Sequence, residues 1–160
     1  MYDFDAGLFA ALVMRIAIAA VLGGALGLER EIHGHWAGLR THMGVAMGAA
    51  LFASAGMLFC GEAPAENTRV IQGITAGVGF LGGGAILKLG NQLEIKGLTT
   101  AASIWLASSV GTAAGLSLYE LACAGTLVSL IVLAILRPVE KRMERTAESR
   151  RRPRDAAERE

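Results

Sequence analysis

The chain has 160 residues, enough for one domain, and 53% of them are hydrophobic while only 18% are charged. A soluble domain carries about 25% charged residues, and here nine of the fifteen Lys and Arg crowd into the last 24 positions, leaving a body more apolar than the mean hydropathy of +0.48 suggests. The net charge of +1 says little, because it sums an apolar body and a cationic tail; the apolar body argues against an ordinary soluble domain, and no nucleic-acid partner is expected.

The N-terminus, "MYDFD", has two acids and no Lys or Arg, whereas a cleaved leader opens with a basic stretch. The apolar segment behind it, residues 8–28, is too long for a leader core and is interrupted only by Arg15. It is expected to be a retained membrane helix. Four more apolar stretches follow at 42–60, 70–89, 98–116 and 118–136, each near the ~20 residues that cross a bilayer. The fourth is rich in Ala, Ser and Thr, and the fifth is closed by Arg137-Pro138, where proline ends the helical ladder. Residues 137–160 are expected to be a charged cytoplasmic tail, helical at first and fraying into disorder.

Loop charge sets the orientation, because Lys and Arg near helix ends stay inside. Arg30 and Arg40 lie between the first two stretches, Lys88 and Lys96 between the third and fourth, and the tail is basic. The alternating loops carry Arg69 or no cation at all. The expected fold is therefore all-α, a polytopic membrane bundle of five transmembrane helices in residues 1–136, N-terminus out and C-terminus in.

"GVGFLGGGAI" (77–86) contains G-x-G-x-x-G, the dinucleotide-binding fingerprint. That motif needs a preceding strand, a following helix and an acid about 20 residues on. "VIQGITA" lacks a clean strand pattern, and Glu94 comes too soon. Small residues four apart on a helix face let membrane helices approach backbone to backbone. Gly23 and Gly27, Gly44 and Gly48, Gly73 and Gly77, Gly79 and Gly83, and Gly111 and Gly115 all have that spacing. They are expected to pack helices together, within one chain and in a homo-oligomer.

Three stretches, "GLEREIHGHWAGLRTHMGVAMGAALF" (27–52), "GITAGVGFLGGGAIL" (73–87) and "IKGLTTAASIWLASSVGTAAG" (95–115), resemble the motifs of the MgtC/SapB family of bacterial membrane proteins, in the family's order. The resemblance implies a five-helix domain of the inner membrane, tied to magnesium homeostasis or low-magnesium adaptation and, in some bacteria, to survival inside host cells. Members are labelled magnesium transporters or accessories of transport ATPases, and some resemble regulators of other membrane proteins, including ATP synthase. The virulence-type members carry a C-terminal ACT-like domain, and their fourth-helix motif has Asn and Cys where this chain has Thr99 and Leu106. The short, SapB-like form is the better match.

A polar motif gathers at the expected cytoplasmic face: Glu29, Arg30, Arg40, Thr41, His42, Thr99 and Thr100. Glu29 is expected to pair with Arg40, either as a tie fixing the helical hairpin or as the lining of a vestibule. Thr41 is expected to cap the second helix, and Thr99 or Thr100 the fourth. "GLRT" (38–41) and "GLTT" (97–100) enter equivalent helices, which hints at a parallel repeat. Arg15 is expected to snorkel outward, towards Asp3 or Asp5. His33, His35 and His42, with Glu29 and Glu31, make a solvated loop or a weak metal site. Magnesium would want oxygen ligands such as Glu29 and Glu31; no resident cofactor is otherwise expected. Cys60 and Cys123 both fall near the outer face, as free thiols or as a disulfide.

Three functions are weighed. The first is a regulator or accessory of other membrane transport proteins, with a transport ATPase or ATP synthase as possible partner. The second is a small oligomeric transporter or channel for Mg²⁺ or another small solute. The pore candidates for it are Gln72, Thr75, Ser103, Ser108, Ser109 and Thr112, with no acid at depth. The third, an enzyme, finds no nucleophile–base pair and no catalytic residue.

Overall fold

A computed structural model describes residues 5–60, 64–86 and 97–136. Those residues form five α-helices and no strand: α1 (Ala6–Ile32), α2 (Leu39–Cys60), α3 (Pro64–Ala85), α4 (Leu98–Gly115) and α5 (Tyr119–Leu136). Three of them, α1, α2 and α5, are long and apolar enough to cross a membrane. The other two fall short for different reasons. The first two turns of α3 carry Glu66, Asn67 and Arg69, and α4 is built largely of Ala, Ser, Thr and Gly. Residues 87–96, with Lys88 and Lys96, and the tail 137–160 lie outside the described residues.

The helix ends shift several expectations. α1 runs to Ile32, so Glu29, Arg30 and Glu31 are helical and can face inward. α2 starts at Leu39, so Thr41 sits inside the first turn and is not its cap. α3 starts at Pro64, whose missing N–H costs nothing in a first turn. α4 is preceded by Gly97 at φ 100°, a conformation that side chains disfavour; Thr99 and Thr100 follow it within the helix and cap nothing. Gly38 and Gly97 thus enter α2 and α4 alike: His42 N–H donates to Gly38 O, and Ala101 N–H to Gly97 O.

α1 and α4 end in the same way. After α1 the N–H of Gly34 donates to Glu31 O and that of His35 to Arg30 O. After α4 the N–H of Ser117 donates to Ala114 O and that of Leu118 to Ala113 O. Gly34 (φ 73°) and Ser117 (φ 63°) take the left-handed turn that these paired bonds require.

The chain divides into two compact units, Met1–Leu127 and Val128–Glu160. As far as it is described, the second is the remainder of α5. In the first, α1, α2 and α4 pack pairwise against one another, and α3 lies against α2 and α4. The interior of this unit is small-chained: Ala19, Ala46, Ala50, Ala107 and Ala114 are fully buried. Large apolar groups such as Val21, Phe52, Phe59 and Phe80 point outward. This arrangement suits lipid, where helices gain nothing by hiding Leu or Phe and associate by close packing of small residues.

The ten spaced glycines divide into two groups. A methyl placed on Gly23 would lie 2.5 Å from Ala46 Cβ and 2.8 Å from His42 O. One on Gly27 would meet Leu39 Cα at 2.8 Å, and one on Gly115 would meet Ala50 O at 2.5 Å. On Gly111 it would run into the Ala46 carbonyl. Around Gly44, Gly48, Gly73, Gly77, Gly79 and Gly83, nothing stands within 4 Å of such a methyl.

Candidate functional site

The shared face of α1, α2 and α4 carries polar groups at both ends. At one end Arg30, near the last turn of α1, is 3% exposed and donates from a terminal guanidinium nitrogen to Thr100 Oγ1 at 3.3 Å. His42, one turn into α2, is fully buried. Its Nδ1 lies 2.9 Å from Gly38 O, and its Nε2 lies 3.0 Å from Ser103 Oγ. Ser103 in turn donates to Thr100 O at 2.8 Å. With Nδ1 donating to the carbonyl, Nε2 of a neutral ring accepts a hydrogen bond; Ser103 can supply one proton, to the ring or to Thr100. Three helices are therefore joined by one hydrogen-bond network that the apolar alanines around it cannot provide.

Near this end the two acids of α1 are taken up separately. Glu31 Oε2 accepts the backbone N–H of Leu39 at 2.7 Å, filling an orphan donor at the start of α2 from the preceding helix. Glu29 does not meet Arg40, as its place in the hairpin suggested. His33 Nδ1 stands 2.8 Å from Glu29 Oε1, one turn on, although ring and carboxylate are not aligned for a hydrogen bond. The second Glu29 oxygen is buried and finds no hydrogen-bond partner among the described residues. The reason is helical phase: Glu29 lies on the α1 face that also carries His33, while Arg40, Thr41 and Thr99 are exposed. Of the seven polar residues singled out in the sequence, the structure joins Arg30, His42 and Thr100, leaves Arg40, Thr41 and Thr99 at the surface, and sets Glu29 against His33. Among the described residues no group of three or more His, Cys, Asp or Glu gathers in ligand geometry.

At the other end Arg15 is turned inward, not out towards Asp5. Its guanidinium donates to Gly115 O at 3.3 Å and approaches the Met57 sulfur at 3.8 Å. Ser54 Oγ donates to the same Gly115 carbonyl at 3.0 Å. A cation and a hydroxyl thus meet the C-terminus of α4, where the helix dipole is negative. Ser103, a pore candidate by sequence, is instead tied to His42 and Thr100, and Ser54 carries no pattern in the sequence, because a lone serine in an Ala-rich helix gives none. The signal, in hindsight, was the length of α1: one helix spans from Arg15 to Arg30, and both cations need an acceptor.

Three of the other pore candidates turn back on their own helices. Thr75 Oγ1 donates to Ile71 O, Ser109 Oγ to Trp105 O and Thr112 Oγ1 to Ser108 O, all at 2.9–3.0 Å. Such bonds satisfy a hydroxyl without a solvent path. Cys60 is half-buried, Cys123 is exposed, and both are free.

A family model described as the MgtC family matches residues 16–142. YhiD of Escherichia coli K12, whose name proposes a magnesium transporter, is 38% identical over 82% of this chain and 63% of its own length. Protein SrpB of Synechococcus elongatus is 38% identical over 85% of this chain and 78% of its own. Protein MgtC of Brucella abortus is 40% identical over 81% of this chain and 52% of its own. The chain thus spans about half to two thirds of the length of two of these relatives. No solved structure gives a significant match.

Proposed function

The chain belongs to the MgtC family, and from that premise we propose that it is a multi-pass protein of the bacterial inner membrane that serves magnesium homeostasis by regulating other transport proteins. The observation that carries the regulatory part is the sign of the charge inside the bundle. Among the described residues the charged side chains that hydrogen-bond across the α1–α2–α4 face are guanidiniums, Arg15 and Arg30, each held by carbonyl or hydroxyl oxygen; the largely buried carboxylate of Glu29 stands against His33 on its own helix. A divalent cation moving along that face would meet like charge in a weakly screened interior. Cation paths use rings of acids or carbonyls aimed at the ion, whereas the hydroxyls of Thr75, Ser109 and Thr112 are closed on their own helices.

Five crossings with the N-terminus out belong to the same reading. The support is the alternation of basic loops, together with the outward-facing Val21, Phe52, Phe59 and Phe80. Oligomerisation belongs to it as well: Gly79 and Gly83 on α3 have open space beside them and can accept a helix of a second copy.

Purified protein in liposomes with an internal magnesium dye tests the proposal. Uptake equal to that of empty liposomes is expected. In cells lacking the gene, growth at limiting magnesium should fall and be restored by the intact chain. Uptake above background, lost on changing Glu29, Thr99 or Ser109, would replace the regulator with a transporter.

A further inference from the structure

Between α2 and α3 runs an open groove of about 760 Å³, within the ~300–1,000 Å³ of sites that hold small molecules. Its α2 wall rises from Arg40 and Thr41 through Gly44 and Gly48 to Phe52. Its α3 wall is formed by Gly73 and Gly77 among apolar neighbours, and Ser108 of α4 is a polar contribution from the floor. The glycines explain why the groove exists: with no side chain at these positions, nothing bridges the two helices.

We infer that this groove binds one acyl chain of an anionic phospholipid, whose phosphate sits on Arg40. Three observations point there. First, the length fits. Arg40 to Phe52 is twelve residues of helix, about 18 Å at 1.5 Å per residue, close to half of a hydrocarbon core about 30 Å thick. The groove therefore runs from headgroup level to the middle of the bilayer. Second, polarity is graded along it as in a lipid: a cation and a hydroxyl at the mouth, then glycine and hydrocarbon walls. Third, the charge is complementary to a phosphodiester, and no acid among the described residues answers it. Arg40 is exposed and makes no ion pair with a described residue. Glu31 is committed to the Leu39 N–H, and Glu29 stands against His33. One oxygen of Glu29 has no described partner, but it is buried, so a second copy docking its own helix here would bring no exposed, uncommitted acid from this end of α1, whereas an anionic lipid brings a phosphate. In the proposed orientation the mouth also faces the leaflet that is rich in anionic lipid.

The inference needs α2 to lie in a membrane, but not the regulatory role, so the liposome flux result and the lipid result stand or fall separately. Native mass spectrometry of delipidated protein, given phosphatidylglycerol or phosphatidylcholine with identical acyl chains, tests it. The intact chain should retain phosphatidylglycerol preferentially. Arg40→Gln should cut that preference about fivefold, the effect of one basic residue at a membrane surface. Gly48→Leu with Gly77→Leu should fill the groove and abolish retention of both lipids. Gly79→Leu with Gly83→Leu, outside the groove, should leave retention unchanged. Equal retention of the two lipids by the intact chain, or an unchanged preference in Arg40→Gln, overturns the inference. So does a fall in oligomer size in the groove-filled variant with lipid retention intact, which would give the groove to a second copy.

Discussion

The α1–α2–α4 face and the α2–α3 groove are built from the same motif and come out opposite. On the first, glycines four apart bring backbones so close that a methyl has no room: Gly23 and Gly27 on α1, Gly111 and Gly115 on α4. On the second, Gly44 and Gly48 face Gly73 and Gly77 across empty space. Spacing makes close approach possible without causing it. What draws the first set shut is polar: Arg30, His42, Thr100 and Ser103 at one end, Arg15, Ser54 and the Gly115 carbonyl at the other. The groove has no such clasp among its described residues, and α3 stays apart from α2 along it.

Substitutions at glycine break this comparison most directly. Gly111→Leu forces a side chain into the Ala46 backbone, and backbone cannot swing aside. Overpacking costs about 1–3 kcal/mol even where side chains can move, so this variant should lose the fold in detergent, read as loss of the thermal transition or aggregation on size exclusion. A Gly111→Leu protein as stable as the parent would show that the three helices are not in contact there.

The clasp is next in size. Ser103→Ala removes the hydroxyl beside His42 Nε2 and leaves a fully buried ring nitrogen unmatched. A buried group left unpaired costs about 1–3 kcal/mol, although side-chain bonds in membranes average nearer 0.6; a loss of about 1 kcal/mol is expected in reversible unfolding. Arg15→Met should cost a similar amount or less, about 0.3–1 kcal/mol for a cation at a helix C-terminus. Ser54 still meets the same carbonyl, so Arg15→Met combined with Ser54→Ala should cost more than the two single variants together.

The legible part of this molecule was its helical plan. Hydropathy placed all five helices, and small residues at fixed spacing marked the packing face of α1 and α4. The ends were less legible, because hydropathy stops at the first charge while helices do not. α1 continues four residues past its apolar stretch to Ile32, and that extra turn is what carries Arg30 inward to Thr100. Which glycine pairs close was not legible at all. Both classes have the same spacing, and the difference lies in single hydroxyls on a neighbouring helix: Ser54, which no local pattern singles out, and Ser103, which the sequence offers as a pore residue without its partner His42. The two arginines were visible, but an inward partner for Arg15 requires knowing that the C-terminus of α4 ends beside it.

The smallest expected effect sharpens the comparison most. Gly48→Leu enters open space, so it meets no backbone and breaks no polar contact. It also replaces a poor helix former by a good one, worth up to about 1 kcal/mol in a helix interior. The protein should therefore unfold at the same temperature or slightly higher, with the same helical circular dichroism. Paired with Gly111→Leu, the same chemical change at the same spacing would then be disabling on one face and harmless on the other. A strong loss of stability from Gly48→Leu would mean that α3 closes on α2 in the membrane, and that the clasp is not what separates the two faces.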